Sequence, residues 1–510
     1  MLFSRYAISA LTILLSLALM FLLIFYATTY SPYALALMVV IDVLVIISII
    51  NRDATPEYKL SWAVVSLVVP FFGAALYLVF YSRRQSKREA RFLKKIHEEA
   101  DRASEKVRPT LSENVESLFE EDPSAFGKMT SLVGDDPIAE VYRETSTKYY
   151  PLGEKMFSAM LEDLRRAEKY VFLEYFIIEE GVMWNSIYSV LKERLEHGVD
   201  VRILYDDIGS MKTLPASFPA RMNSEGIKCA RFAKVTPRVT TIHNNRDHRK
   251  ICVIDGRVAY TGGINVADEY INVRTRFGHW KDGGVRVEGE AALGFVKLFL
   301  SMWDLTVGAV SNYSAYFTED REKTEGDGGY YVPFGSGPMP VYSRPSGKNA
   351  FLNIINQAEK YVYVTTPYLI IDYALTEALQ CAARRGVHVV IITPAKADKK
   401  RVKVMTKSSY PALIEAGVRI YEYTPGFIHE KILVSDDKYA VVGSINFDYR
   451  SLAHHFEDAL WMYASPTVKT IREEVEKTLS VSKEIDSEAA RLTLYERIVR
   501  SVLRLFAPLL

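Results

Sequence analysis

Residues 248–256 read His248-Arg249-Lys250-Ile251-Cys252-Val253-Ile254-Asp255-Gly256, and Val258-Ala259-Tyr260-Thr261 leads on to Gly262-Gly263-Ile264-Asn265. The same pattern returns as His429-x-Lys431, four residues, Asp436, six residues, then Gly443-Ser444-Ile445-Asn446. Successive side chains of a strand point to opposite faces, so a His and a Lys two apart share one face. Asp255-Gly256 and Asp436-Asp437-Lys438 are turn formers, so VAYT and YAVV should return as hairpin partners. The loop beyond each return strand then carries Asn265 or Asn446 back beside the His–Lys pair.

The duplication extends outward. Ala167-Glu168-Lys169-Tyr170-Val171-Phe172 recurs as Ala358-Glu359-Lys360-Tyr361-Val362-Tyr363, and Gly198-Val199-Asp200-Val201-Arg202-Ile203 as Gly386-Val387-His388-Val389-Val390-Ile391. Each half alternates helical and β-rich runs before its hairpin, the pattern of α/β units. Two copies in the same order imply a pseudo-two-fold pair of domains and not a solenoid. The expected division is 1–81 transmembrane region, 82–135 basic juxtamembrane segment, 136–320 first α/β domain, 321–345 connector, 346–485 second domain and 486–510 amphipathic C-terminal helix.

One H-x-K is commonplace surface chemistry. Two copies with the same spacing through to the Asn, inside a duplication, are not. An imidazole, an ammonium and an amide from each half suit a phosphodiester. Lys and Asn would hold its non-bridging oxygens, and His would attack phosphorus or protonate the leaving oxygen.

Composition narrows the setting. The 510 residues hold 63 basic and 62 acidic side chains, a net charge of +1, which excludes a generally polyanion-coating protein. Three scattered cysteines argue against a disulfide framework or a cysteine-only zinc site and suit a reducing compartment. Residues 7–27, 33–50 and 61–80 are apolar runs of the ~20 residues that cross a bilayer. Asp42 would be costly inside the second, and no partner for it is evident. Pro70 and Gly73 interrupt the third. Arg83, Arg84, Lys87, Arg88, Arg91, Lys94 and Lys95 follow against the single acid Glu89, a flank that the positive-inside rule places in the cytoplasm. Two to three membrane helices are expected, with a multi-pass cell-membrane location and cytoplasmic catalytic domains. Three spans would leave the N-terminus outside, against Arg5. At the other end, Arg497, Arg500 and Arg504 share one side of a helical 494–506, and Leu494, Ile498 and Leu505 lie on the other, a pattern of an interfacial or a domain-packed helix.

The two motifs, with Asp268-Glu269-Tyr270 and Phe447-Asp448-Tyr449-Arg450-Ser451, resemble the phospholipase D superfamily and, within it, the bacterial cardiolipin synthases. The resemblance covers nearly the whole chain. It implies two α/β domains, each with a central, mostly parallel sheet, sharing one active site. The implied reaction moves a phosphatidyl group from one phosphatidylglycerol to another through a phosphohistidine, releasing glycerol. His248, Lys250, Asp255, His429, Lys431 and Asp436 form the catalytic motifs, with Asp255 and Asp436 expected to stabilise turns. Asn265, Ser444 and Asn446 are expected to bind phosphate, and Gly263 takes the place of Ser444 in the first half. Glu457 matches the carboxylate that orients a histidine. Arg276 stands at that spacing in the first half, so Asp282 is expected to take over the role. His248 is assigned to attack with Asp282 behind it, and His429 to proton transfer with Glu457 behind it. Tyr175-Phe176 and Pro367-Tyr368 either shape the pocket or pack in the core.

No cofactor and no metal are expected, because lysine and asparagine supply the charge; His454 and His455 lack cysteine or carboxylate spacing and are read as lining or packing. The expected partners are phosphatidylglycerol and anionic membrane lipids, without nucleic acid, and oligomeric state is left open. A phospholipase D hydrolase, a transphosphatidylase using another phospholipid, a nuclease of the superfamily and a non-catalytic membrane scaffold are the competing readings.

Overall fold

Each motif folds into the hairpin that its turn residues allow. In the computed structural model, which describes residues 31–52, 56–80, 83–105, 108–136, 138–234, 245–317, 324–339, 341–491 and 493–506 with scattered positions between 14 and 29, the turns carry Asp255 at φ 55° and Asp436 at φ 58°. Left-handed backbone is tolerated by Asp because its short side chain bonds locally. Here Asp255 accepts the backbone N–H groups of Glu168, Lys169 and Tyr170 at 2.8 Å, and Asp436 those of Glu359, Lys360 and Tyr361 at 2.9–3.0 Å. Each motif aspartate therefore ties its hairpin to the start of the neighbouring strand.

The first half builds a seven-stranded sheet from β1 (Thr145–Tyr150), β2 (Tyr170–Tyr175), β3 (Asp200–Asp206), β4 (Lys228–Phe232), β5 (Lys250–Ile254), β6 (Val258–Gly262) and β8 (Gly284–Gly289), in the order β1-β8-β6-β5-β2-β3-β4. A short β7 (His279–Lys281) lies outside it. The second half pairs β9 (Tyr330–Ser336), β10 (Tyr361–Thr365), β12 (His388–Pro394), β13 (Arg419–Tyr423), β15 (Ile432–Ser435), β16 (Tyr439–Gly443), β18 (Glu457–Tyr463) and β19 (Ser482–Ile485) in the order β19-β13-β12-β10-β15-β16-β18-β9. The expectation of mostly parallel sheets is corrected. Within these two sheets only β2-β3-β4 and β10-β12-β13 run parallel, because those strands are joined by helical crossovers; the motif hairpins and their neighbours are antiparallel. Outside the sheets the short β11 (Leu369–Ile370) and β17 (Phe447–Asp448) pair in parallel, as do β14 (Gly426–Ile428) and β7. The stretch read as a connector contributes β9, an edge strand where Pro333 costs little.

The halves share a core. Val253, Phe295 and Phe299 belong to one buried cluster with Val434, Leu460 and Val468. Every residue of Ala292–Asp304 in the helix Ala292–Val307 is buried.

At the N-terminal end the first apolar run, 7–27, lies largely outside the described residues. Among the described residues one helix, Pro32–Ile50, is long and apolar enough to cross a membrane. The third run is not one helix, which corrects its reading as a span. It forms Pro56–Val68 and Phe72–Phe80, of 13 and 9 residues, folded against each other. Pro70 breaks the ladder and Phe71 turns at φ 64°. A Cβ on Gly73 would come within 2.4 Å of the Val65 carbonyl, so this close approach requires glycine. Trp62 and Tyr77 pack edge to face at 5.5 Å across the hairpin. The Phe71 N–H donates to both Asp42 oxygens at 3.0 and 3.1 Å, supplying the missing partner of Asp42.

This hairpin touches the catalytic head. The Tyr58 ring lies 6.4 Å from that of His454, and the Tyr373 N–H donates to Glu57 Oε1 at 3.2 Å. The C-terminal helix Leu494–Phe506 joins them: Ser61 Oγ donates to the Leu505 carbonyl at 2.6 Å. Its other end leaves Leu494 and Ile498 exposed.

Candidate functional site

Two backbone hydrogen bonds between the halves set the site. The His248 N–H donates to the Phe456 carbonyl at 2.8 Å, and the His429 N–H donates to the Lys281 carbonyl at 2.7 Å. Asp247 bridges Phe456, while β7 runs parallel to Gly426–Ile428. The residue after each acceptor is the carboxylate. Glu457 Oε2 sits 2.9 Å from His248 Nδ1, and Asp282 Oδ2 sits 2.6 Å from His429 Nδ1. The pairing expected from the sequence, Glu457 with His429 and Asp282 with His248, is therefore reversed. Each carboxylate serves the histidine of the other half, because each motif strand docks against the segment that carries it. Arg276, at the spacing first considered, pairs instead with Glu269 at 3.2 Å.

A carboxylate only accepts, so each Nδ1 carries the hydrogen and each Nε2 is left bare. Burial pushes His248 down to about 3 despite Glu457, and pushes His429 well below its ordinary value, with Lys431 adding repulsion. Both imidazoles are neutral in the resting site. The carboxylates differ. Burial would raise Glu457, but His248 draws it far below the usual range; burial lifts Asp282 to about 6, with Lys431 opposing.

The lysines complete the cluster. Lys250 Nζ donates to the His248 carbonyl, and Lys431 Nζ donates to the His429 carbonyl and lies 2.9 Å from His429 Nδ1. Burial pulls Lys431 down to about 7, with Asp282 resisting and Lys250 adding repulsion; Lys250 is also lowered by burial, with Glu457 resisting. In the first-half amide both polar atoms have a partner, Asn265 Oδ1 accepting from the Ile177 N–H at 3.0 Å and Nδ2 donating to Tyr270 Oη at 2.7 Å. Asn446 donates to Ser451 Oγ at 3.1 Å, and its buried Oδ1 accepts no hydrogen bond among the described residues.

Ser444 departs from its expected place as a phosphate ligand. Its hydroxyl donates to Glu457 Oε2 and accepts the Asp458 N–H at 3.0 Å, so it steadies the carboxylate. In the first half a Cβ on Gly263 would lie 2.1 Å from Asp282 Oδ1. Glycine there makes room for the carboxylate that Ser444 supports in the other half. Asp255 and Asp436 sit at the far ends of their hairpins from the lysines and take no part in the cluster.

Phe176, expected to shape the pocket or pack in the core, has its ring 5.1 Å from that of His248, and the ring of His455, read as lining or packing, lies 5.3 Å from it. His429 is walled by Tyr270, Trp280 and Phe427 at 5.5, 5.5 and 5.9 Å. Tyr175 is buried in the core, and Tyr368 donates to Asp398 at 2.6 Å. The central residues of the two motifs are structural anchors. Arg249 donates to the Leu298 and Glu457 carbonyls at 2.8 and 3.2 Å, and Glu430 pairs with Lys281 at 3.3 Å. Nothing in sequence spacing singles out Phe427, which lies two residues before its motif.

Residues 160–275 and 351–479 match the family model described as cardiolipin synthase, PLD-like domain, and residues 40–80 match that of the phospholipase D-nuclease N-terminal region. A cardiolipin synthase of Alkalihalophilus pseudofirmus is 33% identical over 481 residues, 92% of each chain. One of Halalkalibacterium halodurans is 33% identical over 471 residues, 91% of each. An uncharacterized protein of Streptococcus mutans is 38% identical over 468 residues, 91% of this chain and 99% of its own. The crystal structure of a phosphatidylserine synthase from Haemophilus influenzae shares the fold with a TM-score of 0.54 at 15% identity, covering 71% of this chain and 93% of that one. The duplicated sheets and paired histidine–lysine motifs are those of a phospholipase D-superfamily enzyme. Within that superfamily, the chain belongs to the bacterial cardiolipin synthases. Its apolar helix and the matched N-terminal region are those of a membrane-associated protein with phospholipid substrates.

Proposed function

We propose that the protein joins two phosphatidylglycerol molecules into cardiolipin and releases one glycerol. The observation that carries the reading is the pair of neutral imidazoles, each held through Nδ1 by a carboxylate of the other half, with both motif lysines alongside. The phosphodiester anion enters between Lys250 and Lys431, with Asn265 and Asn446 bordering the seat. Its negative charge compensates for the lost solvation and lets His429 take up a proton. His248 Nε2 attacks phosphorus, the P–O bond to glycerol breaks, and that oxygen takes the proton from His429 Nε2. The product is a phosphatidyl-His248. A hydroxyl of the second phosphatidylglycerol then gives its proton to His429 and displaces His248, which leaves as neutral imidazole. One phosphodiester replaces another, so no nucleotide is consumed. Glu457, held ionised, stabilises the positive charge on His248 during attack.

The same reading assigns a topology. Helix 32–50 and the run 7–27 cross the bilayer, and the hairpin 56–80 enters it and returns on one side. Its two ends then lie with the catalytic head and the basic flank after residue 82, on the cytoplasmic side. Two crossings also return the N-terminus and Arg5 to that side. The test uses purified protein in phosphatidylglycerol vesicles, with cardiolipin and glycerol followed together. Equimolar release supports transfer. Free phosphatidic acid as the sole lipid product makes water the acceptor and the protein a hydrolase.

A further inference from the structure

The two halves place equivalent triplets against each other's histidine: Trp280-Lys281-Asp282 against His429, and His455-Phe456-Glu457 against His248. In each, the middle residue takes the histidine N–H, the third holds Nδ1, and the first lays a ring on the imidazole, at 5.5 Å for Trp280 and 5.3 Å for His455. The packing role is satisfied by an apolar indole on one side. On the other it is filled by an imidazole whose Nδ1 and Nε2 are both buried without a hydrogen bond among the described residues. His455 as a whole is 7% exposed. A buried polar group without a partner is costly and calls for a ligand.

We propose that His248, His455 and Glu457 form a seat for a divalent transition-metal ion of the zinc class, and that its occupation inhibits the enzyme. One donor atom from each of the three lies within 4.8 Å of the others. Both imidazoles approach the same carboxylate oxygen: Glu457 Oε1 is 3.5 Å from His455 Nδ1 and 3.0 Å from His248 Nδ1. Zinc bonds of about 2.0–2.1 Å in a tetrahedron place neighbouring ligand atoms roughly 3.3 Å apart, so the two separations bracket the requirement. Two imidazoles and one carboxylate are a common three-ligand zinc set, with the fourth position open to water. The ion takes the Nδ1 lone pair of His248 once the ring proton has moved to Nε2, and so removes both the hydrogen bond to Glu457 and the bare Nε2 that attacks phosphorus. The neighbouring Lys250 ammonium repels the cation, which makes the site regulatory in strength and not a permanent metal centre. Zinc, copper and cobalt are favoured over magnesium by the nitrogen donors. The His429 side offers no counterpart, since Trp280 has no ligand atom.

The site goes beyond the proposed reaction and is tested apart from it. Untagged full-length protein in detergent is titrated with Co2+, and d–d absorption in the visible region is followed. One Co2+ per chain should bind with a low-symmetry nitrogen–oxygen spectrum, and Zn2+ should displace it. His455→Asn should lose the absorption, whereas His429→Ala should keep it. Both are compared by thermal unfolding in metal-free buffer, and His455→Trp, which copies the ring of the other half, serves if the first variant fails to fold. Zn2+ should inhibit cardiolipin formation by the wild type, with recovery on adding chelator, and His455→Asn should need at least about tenfold more Zn2+ for the same inhibition. Cobalt absorption that survives in folded His455 variants, or equal zinc inhibition of the wild type and His455→Asn, overturns the site.

Discussion

His248 lies between Phe176 and a second imidazole, with a carboxylate held ionised behind it; His429 lies among three aromatic rings, with a carboxylate lifted to about 6. Duplication places both imidazoles in the same frame, hairpin for hairpin and hydrogen bond for hydrogen bond. What separates them is the set of residues that the halves do not share: Glu457 and Ser444 on one side, Asp282 and Gly263 on the other. Symmetric geometry supplies two similar groups, and in the proposed mechanism their asymmetric surroundings divide attack from proton transfer.

The largest effect should come from the histidines themselves. His248→Ala should lower cardiolipin synthesis by on the order of 10⁴-fold or more and abolish covalent capture of lipid. His429→Ala should cost about 10²–10⁴-fold, yet still form the phosphohistidine from a donor whose leaving group needs no acid. Acid-labile, base-stable phospholipid on His429 and none on His248 would exchange the roles. The carboxylates come next. Glu457→Gln should reduce the rate of lipid capture from the activated donor by about 10²-fold or more, while Asp282→Asn leaves capture intact and slows full turnover. The converse result would mean that each carboxylate acts within its own half.

Acidity offers a gentler probe. Lys431 is pulled down to about 7, so its charge is present below that pH and lost above it; Asp282 is ionised only above about 6. The value of kcat/KM, which reports the free enzyme, should peak between these limits and fall about tenfold per pH unit on the alkaline side. Lys431→Arg keeps its charge and should flatten that limb. An unchanged alkaline limb in the variant would assign it elsewhere. The smallest effect concerns the side of the site near the hairpin, where His454 meets Tyr58 and Ser61 holds Leu505. Ending the chain at Ser487 should lower activity on anionic vesicles roughly several-fold and spare activity on short-chain lipid in detergent. Equal losses on both would make the helix a support of the fold.

Both hairpins and the cluster of His248, Lys250, His429 and Lys431 were legible because strand alternation and turn chemistry act over a few residues. The crossing was not. Glu457 is 209 residues from His248 and Asp282 is 147 from His429, and spacing alone ties each to its nearer motif. Ser444 and Gly263 looked like one hydroxyl gained or lost at a phosphate seat; they are the complementary consequences of where each carboxylate enters. The third apolar run passed as a span on composition, and only the turn at Phe71, bonded to Asp42, reveals two short helices. Parallel and antiparallel strands share one alternation pattern, so sheet direction was carried by the family resemblance and not by the residues.

The exchange of backbone and carboxylate contacts between halves bears on how the protein is made. A ribosome delivers His248 long before Glu457, and the first half can fold its hairpin while its imidazole has no carboxylate behind it. His248 is not oriented until β18 has been synthesised and docked, one of the last strands to leave the exit tunnel, whereas Asp282 is already in place when His429 is made. Under the proposed mechanism, a chain that stops short of Glu457 has a nucleophile without its carboxylate, so cleavage waits on the half that is made last.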